Sequence, residues 1–298
     1  MTAAWLCMGG HAVRRPTSTS TPTSTPTSTN LPGYNRGRVR EDLRNLGLPA
    51  GSIVLVHASL RRVSPIGGDP GVVADALLDV LGPGGTMVVP AQTTWNSTTS
   101  RAFRTATRRM TPGQVAEYKD SLPAFDPHTT PSSGMGALAE YVRSLPQTVR
   151  SAHPQTSFAA VGARAAELMG VHLLESHLGE KSPLGALYAN DALILMLGTG
   201  YSTSTVFHLA EYKYRPEIPR AYECRIAYGT EGAQQAPHGW TTFTDIDFDD
   251  ADFERLGTNF ERRSGTVRKS RVGGAMARLY PARQAVEFAV EWMGAHRR

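Results

Sequence analysis

A hydroxyl, an imidazole and a carboxylate recur at intervals of three residues in the second half of the chain. They belong to Thr205, His208 and Glu211, and the segment around them has the composition of a helix. Residues three apart on a helix are neighbours, with Cβ atoms about 5–6 Å apart. Glu211 could then accept a hydrogen bond from one imidazole nitrogen and leave the other nitrogen as a base. A histidine held in the core by a helical partner fits the same spacing, so both interpretations stay open.

The predicted helix follows a strand and a glycine-containing loop. Residues 192–197 are apolar, as in a buried strand, and residues 198–201 read Gly-Thr-Gly-Tyr. In open α/β sheets, ligands bind beyond the carboxyl ends of the strands. We therefore expect Thr205, in the first turn of the helix, to donate to a developing oxyanion. The helix N-terminus should also disfavour the protonated form of His208.

The same half of the chain resembles three known motifs and departs from each. Residues 198–203 carry Thr203 where the dinucleotide-binding fingerprint has its third glycine. Ser204 stands where the nucleophile elbow of a serine hydrolase needs a glycine. His172 and His177 are one residue too far apart for an inverted zincin motif, which rotates the second histidine by about 100° on a helix. We expect no metal site and no nucleophilic serine.

The formal net charge of +5 comes from one end of the sequence. Residues 1–40 contain no acidic residue and five arginines, which are Arg14, Arg15, Arg36, Arg38 and Arg40. Without these five, the 31 basic residues become 26, equal in number to the 26 acidic residues. A body without net charge argues against nucleic acid as the main partner.

A low-complexity segment precedes the predicted domain. Residues 16–29 consist only of proline, threonine and serine, a composition with almost nothing to bury. An O-glycosylated stalk has the same composition, but the start of the chain lacks the residue order of a secretory signal. We expect a disordered tail over residues 1–36 and one domain over residues 37–298.

The remaining sequence indicates a cytoplasmic protein. It has no run of 18 uncharged apolar residues, so no membrane span is expected. Two cysteines, Cys7 and Cys224, do not make a disulfide framework. The sequence does not distinguish a monomer from a homodimer.

Apolar, β-branched runs alternate with helix-like segments, which predicts an α/β fold. The clearest unit has a helix at 71–81 between buried strands at 52–57 and 86–90, and such a βαβ unit should have parallel strands. Other strands are predicted at 157–162, 192–197, 222–228 and 238–247, and other helices at 39–48, 112–118, 134–145, 163–168, 250–262 and 284–293. We expect a mixed, largely parallel sheet flanked by helices in α/β/α layers, with a smaller mixed C-terminal portion.

Two stretches place small or polar residues at the ends of predicted strands. Residues 56–60 (VHASL), with the glycines of residues 65–68, would let backbone amides approach a phosphate or an extended ligand, or they form an ordinary loop. Residues 150–157 place an arginine, a histidine and two serines around the start of a strand. Taken alone, this second stretch indicates a structural role.

Together these blocks resemble the antibiotic N-acetyltransferase family, whose best-known members are aminoglycoside 3-N-acetyltransferases. The resemblance covers the chain from about residue 40 onward and leaves out the first 36 residues. It rests on six blocks in the family's order: VHASL with PIGG (56–68), GTMVVPAQT (85–93), FDPHTTPSSGMGALAE (125–140), RSAHPQTSFAAVG (150–162), SPLGALY (182–188) and LGTGYSTSTVFHLAEY (197–212).

The resemblance implies a fold distinct from the GNAT acetyltransferases and a ternary complex with acetyl-CoA. The family's catalytic histidine and glutamate would be His208 and Glu211, with Thr205 placed at the thioester. The residues implied on the cosubstrate side are His57, Ser59, Thr93, Ser132 and Met135. Those implied on the side of the substrate amine are Asp126, Glu211 and Tyr212. The family often has two serines after its first histidine, and here Ala58 replaces one of them.

The expected function is therefore acetyl-CoA-dependent acetylation of an aminoglycoside at its 3-amino group, conferring antibiotic resistance. His208 would act as the general base for direct transfer. Two alternatives stay open, namely an N-acetyltransferase of another small amine in secondary metabolism and an inactive CoA-binding module.

Overall fold

The computed structural model describes residues 34–64, 68–214, 219–227 and 239–297. Most of the predicted tail and the first three residues of the PIGG segment lie outside these ranges, as do the predicted strand positions 228 and 238. The first helix begins at Arg36, after an N-cap at Asn35 whose side chain accepts from the backbone of Arg38. The predicted boundary between residues 36 and 37 stays a prediction.

Strands and helices are interspersed along the described residues. The strands are β1 (Ile53–Ala58), β2 (Thr86–Pro90), β3 (Val149–Arg150), β4 (Phe158–Gly162), β5 (Leu193–Leu197), β6 (Pro219–Ile226), β7 (Gly239–Ile246), β8 (Arg268–Val272) and β9 (Ala275–Pro281). The helices are α1 (Arg36–Asn45), α2 (Leu60–Val63), α3 (Pro70–Leu81), α4 (Arg101–Thr107), α5 (Pro112–Ser121), α6 (Ala137–Arg143), α7 (Ala165–Met169), α8 (Pro183–Ala189), α9 (Phe207–Tyr214), α10 (Phe253–Ser264) and α11 (Ala282–His296). None of these helices is both long and apolar enough to cross a lipid bilayer.

Seven strands form the main sheet in the order β3-β4-β2-β1-β5-β9-β8. The predicted βαβ unit is present, because β1 pairs in parallel with β2, and β1 also pairs in parallel with β5. The other four pairings in this sheet are antiparallel. The mixed α/β class is confirmed, but the expectation of a largely parallel sheet was wrong. Parallel pairing is limited to the three central strands.

Helices cover both faces of the sheet, as expected for α/β/α layers. Successive strand residues point to opposite faces, so Val54 and Val56 join one hydrophobic cluster and Leu55 joins the other. The first cluster includes residues from α1, α3 and α6, and the second includes residues from α7 to α11. The three central strands are therefore packed between two layers of helices.

The C-terminal portion is divided between two sheets. Strands β6 and β7 form a separate two-stranded sheet, whereas β8 and β9 extend the main sheet beside β5. The predicted smaller C-terminal portion is therefore limited to β6 and β7. The segment 91–133 meets β6 through the bridges Ser97↔Cys224 and Phe125↔Ile226. That segment contains two helices, α4 and α5, where the sequence predicted one.

Candidate active site

The imidazole and carboxylate predicted to act together are in direct contact. His208 and Glu211 lie on α9, and Nδ1 of His208 is 2.6 Å from Oε2 of Glu211. Because an ionised carboxylate only accepts hydrogen bonds, we assign the proton to Nδ1. Nε2 is then left with its lone pair. The His208 side chain is 15% exposed and that of Glu211 is 6% exposed, so water competes little for this bond.

The other oxygen of Glu211 is also occupied. Oε1 accepts from the backbone N–H of Asp249 at 3.0 Å and from Nη1 of Arg297 at 2.7 Å. Glu211 therefore lies behind His208 as its partner. This placement does not favour the second role expected for Glu211, contact with the substrate amine.

Two aromatic rings contact the imidazole of His208. The ring centroid of Phe253 lies 4.7 Å from that of His208, and the centroid of Phe248 lies 5.1 Å away in an edge-on arrangement. Phe253 begins α10. These contacts limit the orientations that the His208 ring can adopt.

Thr205 was expected in the first turn of the helix, and this placement was wrong. Helix α9 begins at Phe207, and Thr205 lies in the turn before it. The neighbouring Ser204 is buried, and its hydroxyl is 2.8 Å from that of Tyr280 on β9, so a tertiary contact fixes this turn. The backbone N–H of His208 still donates to the carbonyl of Thr205 at 3.1 Å, which keeps the two residues adjacent.

A cavity of about 610 Å³ opens at the carboxyl ends of the three central strands. Ligands of open α/β sheets bind at this edge. Five of the predicted residues line the cavity, namely His57, Ser59, Met135, Thr205 and His208. Its walls also contain Arg61, Asp250 and Phe253, three residues that no sequence motif singled out.

His57 is a buried polar group in the wall of this cavity. Its side chain is 6% exposed, and Nε2 has no hydrogen-bond partner among the described residues. Burial lowers the pKa of His57 to about 4, so the ring is neutral near pH 7. An unpartnered buried nitrogen costs about 1–3 kcal/mol, which a bound ligand with a hydrogen-bonding group would offset.

The backbone of residues 133–136 lies close to the end of β1. Gly136 has a φ of +88°, and a Cβ on it would lie 3.4 Å from the carbonyl oxygen of Ala58. A side chain would therefore be strained at this position. Beside it, the N–H of Ser133 donates to the carbonyl of Gln92 at 2.7 Å, and Gln92 also lines the cavity. Residues 134–136 and the end of β1 therefore lie side by side in the lining of the cavity.

Besides Glu211, four predicted residues do not line the cavity, and three of these four hold local structure. Thr93 is buried and donates to Asn96 at 2.9 Å, and Ser132 donates to Glu140 at 2.7 Å. Asp126 accepts from the backbone of His128 and from the hydroxyl of Thr129. Each of these three polar groups thus closes a local turn or loop.

The hydroxyl of Tyr212, the fourth residue, points to a cluster of Asp245 and three histidines. It donates to Oδ2 of Asp245 at 2.7 Å, and the same oxygen is 2.7 Å from Nδ1 of His177. His153 packs against His177, and the ring centroids are 4.4 Å apart. His172 lies on the other side of the cluster, 2.8 Å from the carbonyl oxygen of His177. Burial lowers the pKa of His172 to about 3.

This cluster contains the histidines of the rejected zincin motif. Burial lowers the pKa of His153 well below its ordinary value. Burial likewise lowers the pKa of His177, although the hydrogen bond to Asp245 opposes it. Among the described residues, no three histidine, cysteine, aspartate or glutamate side chains are grouped so as to hold a metal ion.

The segment 127–130 is held beside the cavity wall by one partly buried cation. Arg150 donates to the carbonyl of Ala91 at 2.6 Å, and its Nη1 donates to the carbonyl of Thr130. Burial lowers the pKa of Arg150 to about 10, which leaves it charged near neutrality. The structure thus gives a positioning role to the first residue of the stretch 150–157.

Comparison with known proteins identifies the family. A family model described as aminoglycoside 3-N-acetyltransferase matches residues 55–294, which is most of the chain. The chain belongs to the aminoglycoside 3-N-acetyltransferase family. This is an acyltransferase family, and the resemblance seen in the six sequence blocks is confirmed.

Two similar proteins show how far the likeness extends. YokD, an aminoglycoside N(3')-acetyltransferase-like protein of Bacillus subtilis, is 35% identical over 259 residues, covering 85% of this chain and 90% of YokD. Aminoglycoside N(3)-acetyltransferase III of Pseudomonas aeruginosa is 32% identical over 271 residues, covering 89% of this chain and 94% of that enzyme.

Solved structures of aminoglycoside acetyltransferases have the same fold. The structure of AAC-IIIb with CoASH superposes with a TM-score of 0.74 at 29% identity, covering 88% of this chain and 97% of AAC-IIIb. AAC-VIa bound to sisomicin gives a TM-score of 0.71 at 30% identity, covering 88% of this chain and 98% of AAC-VIa. These complexes contain a CoA-type molecule and an aminoglycoside, respectively.

Proposed function

We propose that this protein uses acetyl-CoA to acetylate the 3-amino group of an aminoglycoside and thereby confers antibiotic resistance. The observation that carries the proposal is the contact between His208 and Glu211 at the edge of the cavity. It leaves a neutral imidazole nitrogen beside the space that a ligand would occupy. Family membership adds the reaction type.

In this proposal, the main task of the protein is to remove a proton. An aminoglycoside amine is an ammonium ion near pH 7, and it must lose a proton before it can attack. Nε2 of His208 takes that proton, while Glu211 holds the opposite side of the ring and stabilises the imidazolium that results. The hydroxyl of Thr205 donates to the oxygen on which negative charge develops. Bound acetyl-CoA would supply the acetyl group as a thioester, and the CoA thiolate released when the C–S bond breaks would take the proton from the His208 imidazolium.

The walls of the cavity fit these two ligands. His57, Ser59 and residues 134–136 line the cavity together, and we assign them to the cosubstrate. Asp250 lines the same cavity as His208 and would attract an ammonium group. Transfer through an acyl-cysteine is disfavoured at Cys224, since this residue is buried and burial raises its pKa to about 12.

The test measures thiol release from acetyl-CoA with a panel of aminoglycosides. Compounds with a free 3-amino group should release thiol, and matched compounds already acetylated at that nitrogen should not. Mass spectrometry and NMR of the product then locate the new acetyl group. Equal thiol release from the blocked and free compounds would refute acetylation at the 3-amino group.

A second candidate is acetylation of a smaller amine. Asp250 is the one acidic side chain lining the cavity in the described part of the chain, whereas an aminoglycoside carries several ammonium groups. A monoamine would need only that one carboxylate. Including simple monoamines in the panel separates the two candidates, and thiol release with any amine excludes an inactive CoA-binding module.

A further inference from the structure

We propose that Arg297 is a positioning residue for the proton transfer, because it fixes the carboxylate that orients His208. This inference rests on the proposed function of His208. Arg297 follows α11 and lies 86 positions beyond Glu211 in the sequence. The polar contacts of its side chain within the described ranges are with the far side of Glu211 and with residues 249–252, so it would act through Glu211 and not on a ligand.

The guanidinium of Arg297 makes four polar contacts around the base of the site. Nη1 donates to Oε1 of Glu211 at 2.7 Å, and Nε donates to Oδ2 of Asp252 at 3.0 Å. Nη2 donates to Oδ1 of Asp252 and, at 2.6 Å, to the backbone carbonyl of Asp249. The Arg297 side chain is only 13% exposed. The guanidinium thus holds two carboxylates and one loop carbonyl together.

The charge of Arg297 is well maintained in this setting. Burial alone would lower the pKa of the guanidinium, but the hydrogen bonds to Asp252 and Glu211 raise it above the ordinary value for arginine. Glu211 is 5% exposed, and burying a carboxylate without a nearby cation carries a large desolvation cost. Arg297 supplies that cation.

The geometry explains how this would affect His208. Glu211 uses Oε2 for His208 and Oε1 for Arg297, so the two contacts together fix the plane of the carboxylate. Without Arg297, the carboxylate keeps only the N–H of Asp249 on Oε1 and can rotate away from Nδ1. His208 would then lose the partner that fixes its tautomer and ring orientation.

Arg297 also contacts the surroundings of the imidazole. Its guanidinium carbon lies 5.8 Å from the ring centroid of Phe253, which packs against His208. Its bond to the carbonyl of Asp249 holds the residue before Asp250. A purely structural link between α11 and residues 249–252 would use these same contacts, so the test must separate the two roles.

The matched variants are Arg297→Gln and Arg255→Gln in the full chain. Arg255 lies 3.8 Å from Asp252 and 61% of its side chain is exposed, so it shares one partner with Arg297 but lies in solvent. We expect Arg297→Gln to lower kcat about 10–100-fold, the range for losing a hydrogen bond to a charged group, with KM for both substrates changing less than about threefold. Arg255→Gln should retain wild-type kcat.

Rescue distinguishes positioning from stability. Millimolar guanidinium chloride, well below denaturing concentrations, should partly restore kcat of Arg297→Ala and should leave the wild type unchanged. Arg297→Lys should lie between the wild type and Arg297→Gln, because lysine keeps the charge without the planar fork. An unchanged kcat in Arg297→Gln, or an equal loss in Arg255→Gln, would overturn the inference.

A spectroscopic readout keeps this test independent of the assay. In proton–nitrogen NMR spectra, the hydrogen-bonded Nδ1–H of His208 should be protected from exchange in the wild type and in Arg255→Gln. The same signal should be lost or broadened in Arg297→Gln and in Glu211→Gln. If the wild type releases no thiol, the proposed function fails, whereas a protected signal in Arg297→Gln refutes the role of Arg297.

Discussion

At the scale of single residues, contacts within the protein fix the orientation of the His208 imidazole. Sequence spacing was sufficient to predict the pair of His208 and Glu211, since both lie on α9. It was not sufficient for Thr205, because the helix start depends on the contact between Ser204 and Tyr280. Arg297 was missed for the same reason. Contacts between residues so distant in sequence leave no local pattern.

Replacing His208 tests the proton transfer directly. We expect His208→Ala to lower kcat by about 10²–10⁴-fold, the usual contribution of a general base, because the base nitrogen Nε2 is lost with the ring. Thermal unfolding should show that the variant remains folded. The exposed His128, changed to alanine, is the matched control and should keep full turnover. Near-wild-type turnover in His208→Ala would rule out the mechanism.

At the scale of elements, the sequence predicted the buried strands better than the exposed ones. Strands β1, β2 and β5 are apolar runs and were placed within one or two residues. The hairpin of β8 and β9 was missed because β8 is an edge strand rich in arginine and lysine, a common protection of sheet edges. A local sequence pattern does not predict the relative direction of two strands, so the antiparallel pairing of β4 with β2 could not be predicted.

Helix α10 offers a test of the packing that supports the site. A Cβ on Gly257 would overlap the ring of Tyr201, so Gly257→Ala forces the helix and this ring apart. We expect a loss of about 1–3 kcal/mol in the free energy of unfolding, which is typical of overpacking. A fall in kcat should accompany it, because α10 begins with Phe253, which contacts His208.

Gly294 on α11 is the matched control for this substitution. A Cβ on Gly294 meets no atom within 4 Å in the described part of the chain, so Gly294→Ala should gain roughly 0.5–1 kcal/mol from helix propensity. Urea unfolding of both variants measures the difference. Equal effects in the two helices would show that the contact between α10 and Tyr201 is not tightly packed.

At the scale of the whole molecule, buried neutral histidines make folding sensitive to mild acid. Burial lowers the pKa of His57 to about 4 and that of His172 to about 3, whereas an unfolded histidine has a pKa of about 6.5. Below about pH 6.5 the unfolded chain therefore binds more protons than the folded one. Stability should fall as the pH falls, by about 1.4 kcal/mol per pH unit for each such histidine.

Urea unfolding at pH 7.5 and pH 5.5 measures this loss. We expect the free energy of unfolding to be lower at pH 5.5, and His172→Gln to reduce the difference by about 1.4 kcal/mol. Glu140 does not affect this comparison of stability. Hydrogen bonds from Arg143 and Ser132 outweigh the effect of burial and lower the pKa of Glu140 to about 2. Its contribution to the free energy of unfolding therefore changes only below its ordinary pKa of 4.5. Identical pH dependence in the wild type and His172→Gln would contradict the assignment.

Helices α4 and α5 differ from the other described helices because neither contains a buried residue. The segment around them meets β6 through two backbone bridges and through a few side chains: Lys119 on α5 is 2.9 Å from the carboxylate of Glu223, and Arg225 donates to the carbonyls of Asp120 and Leu122. Apart from Lys119, the side chains of residues 101–121 are therefore less constrained by packing than those of the core helices. Substitutions in these two helices are limited mainly by solubility and by any binding role of their surface. Homologous proteins can diverge in this segment while keeping the same folded core.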